Sequence, residues 1–211
     1  MTAEELDSLV NELHDKLNEV YSLDPLWKKR GEWREGETDS ILYPPASDKD
    51  IRDFEKRWGK EFPPSYVRFL QLHNGWKHFW DDFTLIGVSG EHTKEALEKI
   101  QETEAWQREY VKQELEELTP SRIQEWEAEW EGNLYLGNHL VFGTNFAGSL
   151  YVFDVRTKQA EGEMVIWRWP FTGNPSLEKR YVNIEEMLLG VAKEVDKYLE
   201  RLRRSKARKK K

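Results

Sequence analysis

Large hydrophobic residues recur at helical spacing in two neighbouring stretches between residues 46 and 75. Ile51, Phe54 and Trp58 form the first stripe, and the second consists of Tyr66, Phe69, Leu70 and His73. Side chains three or four positions apart lie on one face of a helix, so the stripes predict two short helices. Both faces are largely aromatic and must be buried, and a β-sheet built from later strands is the natural partner surface.

The residues that border these stripes carry helix signals. Ser47 or Asp48 is suited to cap the first helix, and Gly59 stands where a left-handed residue ends one. The pair Pro63-Pro64 suits the start of the second helix, and Asn74-Gly75 suits its end. We interpret His73 beside this turn as structural, because a lone histidine needs a partner acid or base to catalyse a reaction.

Longer amphipathic helices are predicted near the two ends of the chain. Thr2 and Glu5 form a capping box at the start of a predicted helix over Thr2–Tyr21, one face of which is lined by Leu6, Leu9, Val10, Leu13, Leu17 and Val20. Asn183 and Glu186 form a second box before the clearest helical pattern, whose apolar positions are Ile184, Met187, Leu188, Val191, Ala192, Val195, Tyr198, Leu199 and Leu202. The polar, glycine-containing stretch 22–45 predicts a loop, and we expect Trp27 and Trp33 to anchor this loop to the surface of the protein.

Strands are predicted in the middle and in the last third of the chain. Their ranges are Phe83–Val88, Leu134–Leu136, Leu140–Phe142, Ser149–Val155 and Met164–Trp169. The run LYVFDV is apolar on both faces, which is typical of a central strand covered on each side. The polar stretch Arg156–Gly162 predicts an antiparallel hairpin between the last two strands. The pattern therefore predicts an α+β fold, a mixed or antiparallel β-sheet flanked by helices.

Charge is distributed unevenly along the chain, whose formal net charge is −8. Residues 91–131 contain thirteen Glu against five Lys or Arg, and they predict two helices that form an acidic insertion. The second helix has a narrow stripe of Ile123, Trp126 and Trp130, which could pack against a second copy, so the oligomeric state is open. Arg201–Lys211 carries eight Lys or Arg, for which we favour a disordered basic tail, with its charge placed favourably at a helix C-terminus, over nucleic-acid binding. An acidic body repels nucleic acid and favours basic protein partners.

No common catalytic or cofactor-binding signature occurs in the sequence. There is no cysteine, which excludes disulfides, thiolate metal sites and a cysteine nucleophile. P-loop, dinucleotide-binding, HExxH and EF-hand patterns are absent, and the five histidines lack the spacing of metal ligands. We therefore predict no enzyme, no metal and no cofactor. The acidic N-terminal segment does not resemble a signal peptide and no apolar run reaches membrane-spanning length, so a cytoplasmic protein without membrane contact is expected.

The connector WKHFWDD is the first candidate for a binding surface. Trp76 and Trp80, if exposed beside Asp81 and Asp82, would suit a basic protein partner. Buried tryptophans with solvated aspartates are an equal alternative. Paired catalysis by the two carboxylates is disfavoured, because neighbouring side chains on an extended segment point in opposite directions. The ten tryptophans also allow a carbohydrate platform, although protein interfaces use surface aromatics at least as readily.

The first helix of the acidic insertion is the second candidate. A run of glutamates is usually a solvated helix face. The functional alternative is an anionic surface for a basic partner, formed by Glu95, Glu98, Glu102, Glu109 and Glu116.

Three motifs resemble the signatures of the SUKH superfamily, which includes fungal cell-wall regulators and bacterial immunity proteins against secreted toxins. They are FPPSYVRFLQLHNG at 62–75, FTLIGV at 83–88 and VFGTNFAGSLYVFDV at 141–155. The resemblance implies a SUKH-like domain over residues 46–200, preceded by a helix and loop at 1–45 and followed by the tail at 201–211. Residues 91–131 look like an insertion, so no role carries over to them from the family.

The resemblance implies a protein that binds other proteins without catalysis. The first hypothesis is an immunity protein that occludes a bacterial toxin. If the toxin is a nuclease, the glutamates would mimic nucleic-acid phosphates. The alternative is an intracellular scaffold of the cell-wall-regulator type, which contacts several partners.

Overall fold

The structure is a computed structural model that describes residues 1–24, 26–27, 39–117, 119–121, 139–145, 147–169 and 176–209. Its helices are α1 (Ala3–Leu23), α2 (Asp48–Trp58), α3 (Pro64–Leu72), α4 (Glu91–Glu117) and α5 (Ile184–Lys209). Its strands are β1 (Ile41–Leu42), β2 (Trp76–Lys77), β3 (Thr84–Leu85), β4 (His139–Thr144), β5 (Leu150–Asp154), β6 (Val165–Trp169) and β7 (Ser176–Tyr181).

The strands form one seven-stranded sheet in the order β1 to β7, and each strand is antiparallel to the next. Phe153 of β5 lies between Leu140 of β4 and Ile166 of β6. Every residue of β4 and β5 is buried, as expected for central strands. The α+β fold with helices flanking an antiparallel sheet, and the hairpin between β5 and β6, are confirmed.

Three strands were not predicted. β1 lies in the stretch predicted as a loop, β2 opens the WKHFWDD connector, and β7 follows the last predicted strand. β3 has two residues rather than the six expected for Phe83–Val88. Two residues are too few to show the alternation of apolar and polar positions by which a strand is identified in a sequence. Such a short strand forms because it pairs with a neighbouring strand. The predicted strand Leu134–Leu136, Trp33, and the stripe of Ile123, Trp126 and Trp130 lie outside the described residues.

Most of the predicted helix caps are confirmed. The Thr2 hydroxyl accepts the Glu5 amide at 3.2 Å, and the Glu5 carboxylate accepts the Thr2 amide at 2.8 Å. Ser47 caps α2, and Gly59 ends it with φ 71°. Pro64 is the first residue of α3.

The capping box predicted for α5 is half formed. Asn183 Oδ1 accepts the Glu186 amide at 2.9 Å, as expected. The Glu186 carboxylate, however, accepts the amide of Val182 at 2.7 Å instead of the amide of the cap residue.

Tyr66 of α3 lies at the centre of the core. Its ring contacts Phe142 and Phe153 of the central strands as well as Phe62 and Phe69, with centroids 5.1–5.6 Å apart. Its hydroxyl donates to the Ile86 carbonyl at 2.6 Å. Burial raises the pKa of Tyr66 well above its usual value, so the hydroxyl stays protonated as a donor.

α1 and α5 pack side by side and run in the same direction. Lys16 binds Asp196 at 2.8 Å, and Arg203 binds Glu19 at 2.6 Å.

The expectation of a disordered basic tail is wrong as far as Lys209, because α5 continues to that residue. Arg201 there lies over the ring of Tyr198, 4.7 Å from its centroid. Within the described ranges, no helix combines the length and the apolar character needed to cross a membrane.

Asp154, at the end of β5, is a buried acid with 1% of its surface exposed. Burial opposes its ionisation, but hydrogen bonds from the Arg156 side chain at 2.7 and 2.9 Å and from the Arg156 amide at 3.0 Å outweigh burial, so the pKa of Asp154 lies below its usual value. A lowered folded-state pKa stabilises the protein above the unfolded-state pKa of about 3.9. That contribution is lost as the pH falls through the folded-state pKa.

We expect Asp154→Asn to lower the free energy of unfolding at neutral pH by about 1–3 kcal/mol, because the amide cannot replace charge-assisted bonds. The variant should also lose less stability than the wild type on acidification below about pH 4. Urea unfolding at neutral and acidic pH measures both effects. Asp53→Asn is the control, since the exposed Asp53–Lys49 pair contributes little. The same loss in both variants would contradict this account of Asp154.

Candidate functional site

The exposed face of α4 carries a line of glutamates, which we name the acidic stripe: Glu91, Glu95, Glu98, Glu102 and Glu109. At about 100° per residue, these positions fall within an arc of about 60°. The opposite face is held against the protein by buried Thr93, Ala96, Ile100 and Thr103. Glu116 continues the same line along the helix, although its side chain is outside the described part of the structure. The helix therefore presents its acidic face to solvent.

A cleft of about 240 Å³ lies beside the acidic stripe, between α4 and the sheet. Its lining residues are Tyr43, Lys77, His78, Asp82, Thr84, His92, Glu95, Ala96, Lys99, Thr144 and Asn145. Glu95 belongs to both the stripe and the cleft, so a partner on the stripe can place a side chain in the cleft.

One wall of the cleft is fixed by the start of α4. The His92 ring stacks on Tyr43 with centroids 3.5 Å apart, and its Nε2 donates to the Asn74 carbonyl at 2.9 Å. The Asn74 side chain accepts the Val88 amide at 2.7 Å and donates to the Ser89 carbonyl at 3.1 Å. The end of α3 is thus tied to the start of α4, which supports the structural interpretation of the Asn74-Gly75 turn.

His73, at the end of α3, is likewise structural. Its Nε2 lies 3.3 Å from Asp7 Oδ1, so it links α3 to α1. Burial lowers the pKa of His73, and the contact with Asp7 only partly opposes this effect.

The other wall of the cleft is the strained segment 78–83. His78, Asp81 and Asp82 have φ values of 52°, 58° and 60°, in the left-handed region that residues other than glycine rarely adopt. Such strain persists only where surrounding contacts over-determine the backbone. Here the Tyr21 hydroxyl donates to the His78 and Phe79 carbonyls at 2.9 and 3.2 Å. Burial, together with the nearby Asp82 and Asp81, raises the pKa of Tyr21 and keeps this donor protonated.

Of the two alternatives for Trp76 and Trp80, exposure on a binding surface or burial in the core, the structure shows burial. Trp76 is 0% exposed and its indole donates to Ser40 Oγ at 2.6 Å. Trp80 is 8% exposed, donates to Glu194 at 2.9 Å, and packs against Trp27 and Tyr198. Both rings are therefore core residues. The contact with Trp27 agrees with the expectation that Trp27 anchors its loop.

Asp81 and Asp82 bind different partners, so their carboxylates do not form a catalytic pair. Asp81 forms an ion pair with Arg168, whose guanidinium also lies 5.1 Å from the centroid of the Phe83 ring. The side chain of Asp82 is largely buried, and its Oδ1 lies 3.1 Å from His78 Nδ1. Of the four connector residues predicted to bind a partner, only Asp82 lines the cleft.

The acidic stripe and the cleft are two features with which this side of the protein can bind a partner. Within the described ranges, no group of three or more His, Asp or Glu side chains is placed to hold a metal ion. The stripe can attract a cationic surface, and the cleft can seat a side chain. Sequence reasoning missed Tyr43, Lys77, His92 and Lys99, because only the tertiary fold brings these distant positions together.

Comparison with known proteins adds one finding. No curated protein matches the chain. The model of the SMI1 / KNR4 family (SUKH-1) matches residues 45–190, which include α2, α3, the strained segment, the central strands and every lining residue of the cleft except Tyr43. The match covers more than half of the chain and agrees with the resemblance carried by the three sequence motifs. This protein therefore belongs to the SMI1 / KNR4 family (SUKH-1).

Proposed function

We propose that this protein is a non-catalytic immunity protein, which neutralises a toxin by binding it through the acidic stripe and the adjoining cleft. Membership of the SMI1 / KNR4 family (SUKH-1) fits an immunity role or a regulatory role. The observation that favours a basic partner is the acidic stripe, five exposed glutamates on one side of α4. The acidic face of α4 would cover the basic surface of the toxin and so block the toxin's access to its substrate.

The glutamates of the stripe repel one another in the unbound protein, and the ion pair of Glu91 with Lys94 at 3.0 Å offsets part of this repulsion at the start of α4. Glu91 and Glu95, Glu95 and Glu98, and Glu98 and Glu102 are three or four positions apart. Like charges at these spacings destabilise a helix by about 0.2–0.5 kcal/mol per pair. A cationic partner would relieve this repulsion, and long-range attraction would raise the association rate at low salt.

Reversing two charges of the stripe tests the proposal. The partner is first captured from the source organism at low salt, eluted with high salt and identified by mass spectrometry. We expect the double variant Glu98→Lys/Glu102→Lys to bind the purified partner at least about tenfold more weakly at low salt than the wild type, since two attractive charges become repulsive. Coexpression with the partner in bacteria should restore growth with the wild type and fail to do so with the variant.

The matched control is Asp15→Lys/Glu161→Lys, which makes the same change in net charge at two exposed acids outside α4. It should retain binding within about threefold, because distant exposed charges are screened. Equal weakening in both double variants would contradict a specific role of the stripe. Several stable partners without toxicity would instead favour the regulatory scaffold.

A further inference from the structure

A groove between the first turns of α1 and α5 gathers exposed hydrophobic side chains. Among the described residues, the large hydrophobic side chains with high exposure are Met1, Leu26, Val182 and Leu189. Three of these four line the groove, where Val182 is 51% and Leu189 is 42% exposed. Single exposed hydrophobics are ordinary, but a cluster of them marks an interaction surface.

The polar part of this groove is acidic. Besides Met1, Leu9, Val182 and Leu189, its lining residues are Glu5, Glu12, Glu185, Glu186, Ser8 and Asn183. Neither Lys nor Arg occurs among these lining residues, all of which the structure describes. The N-terminal ammonium of Met1 is a cationic group of the groove, and it lies 3.4 Å from the Glu185 carboxylate. The groove has a volume of about 760 Å³ and shares no residue with the acidic stripe or the cleft.

Two of the glutamates are fixed in place without being neutralised. Glu5 of α1 accepts the Thr2 amide at 2.8 Å, and Glu186 of α5 accepts the Val182 amide at 2.7 Å. These donors are backbone amides rather than cations, so these bonds do not neutralise either carboxylate. Glu185, by contrast, binds Arg68 at 2.6 Å and the Met1 ammonium at 3.4 Å, and Glu12 binds Lys16 at 2.8 Å. Glu5 and Glu186 therefore supply ordered negative charge from the two helices that form the groove.

We propose that this groove docks a cationic amphipathic helix of a partner protein. The apolar face of that helix covers Leu9, Val182 and Leu189, and its Lys or Arg side chains reach Glu5 and Glu186. Amphipathic helices commonly bind in apolar grooves of this kind, and the charged rim selects a basic helix over an acidic one. The basic end of α5 from a second copy fits less well, because Leu202, its large hydrophobic residue between Arg201 and Arg208, packs on its own core.

The test uses a fluorescein-labelled amphipathic peptide of leucine and lysine and measures its anisotropy with the full chain. We expect Leu189→Glu to weaken binding at least about tenfold, because a charge replaces an apolar contact in the groove. Leu26→Glu is the matched control, since it makes the same change at an exposed leucine outside the groove. It should bind within about twofold of the wild type at moderate salt. A leucine–glutamate peptide should not bind.

Circular dichroism melting shows that each variant is folded before binding is compared. Equal peptide affinity for the wild type and Leu189→Glu would overturn the proposal, as would equal binding of the leucine–glutamate peptide. Light scattering provides one further outcome. If the wild type is a dimer that Leu189→Glu converts to a monomer, and the leucine–lysine peptide does not bind, the occupant is a second copy and the proposal is wrong.

Discussion

Trp76→Ala is expected to lower the free energy of unfolding by about 3–5 kcal/mol, since it empties the space of a fully buried indole. Trp76 packs against Phe79 and His14, with ring centroids 4.9 and 6.1 Å away, and so joins β2 to the strained segment and to α1. Its indole also donates to Ser40 Oγ at 2.6 Å, which holds the chain that leads into β1. Urea unfolding followed by circular dichroism measures the loss.

Trp76→Phe separates packing from hydrogen bonding. The phenyl ring fills much of the space but removes the N–H donor, so we expect a smaller loss of about 1–3 kcal/mol. If Trp76→Ala unfolds at the same urea concentration as the wild type and only partner binding is weakened, the indole would be a surface contact and its burial would be contradicted. Equal losses in the two variants would show that the hydrogen bond, rather than the ring volume, carries the effect.

The features that the sequence predicted correctly are determined within a few residues of chain. The Thr2–Glu5 box, the Ser47 cap and the left-handed Gly59 each depend on contacts within one helical turn. The apolar stripes of α2 and α3 likewise need only helical periodicity. The α+β class followed because aromatic helix faces and fully apolar strands must cover one another.

The features that sequence reasoning missed or left open depend on distant contacts. β1 and β2 have two residues each, and their strand character comes from pairing with each other and with β3. The burial of Trp76 and Trp80 depends on Ser40 and Glu194, which lie 36 and 114 positions away along the chain. Neither partner can be identified from the seven residues of the connector.

The expectation of a disordered basic tail gave too much weight to the repulsion between like charges and too little to helix propensity, because α5 stays helical as far as Lys209. The segment 201–209 is rich in Arg and Lys, and both residues are good helix formers once repulsion is relieved. Arg203 is paired with Glu19 and Arg204 with Glu200, which partly relieves that repulsion. Cations are also favoured in the last turns of a helix, because they oppose the negative end of its dipole.

Gly75→Ala is expected to lower the free energy of unfolding by about 2–4 kcal/mol. Gly75 has φ 96°, and a Cβ at this position would lie 2.7 Å from the Gly87 amide nitrogen and 2.8 Å from the Leu85 carbonyl oxygen. Both are backbone atoms of the chain that leads from β3 to α4, so they cannot move aside as a flexible side chain would. Gly59→Ala is the control, because Gly59 is also left-handed but a Cβ there meets no heavy atom within 4 Å.

Gly59→Ala should therefore lose only the left-handed penalty of about 1–2 kcal/mol, and the excess loss in Gly75→Ala measures the close approach of the two segments. The close contact of Gly75 with the chain between β3 and α4 also positions Asn74. The Asn74 carbonyl accepts a hydrogen bond from His92, and its side chain accepts one from the Val88 amide. Gly75→Ala should consequently disturb the start of α4 and raise hydrogen exchange at Val88, whereas Gly59→Ala should not. Equal unfolding losses and equal exchange in the two variants would mean that the α3–β2 junction does not hold α4, and with it the cleft, in place.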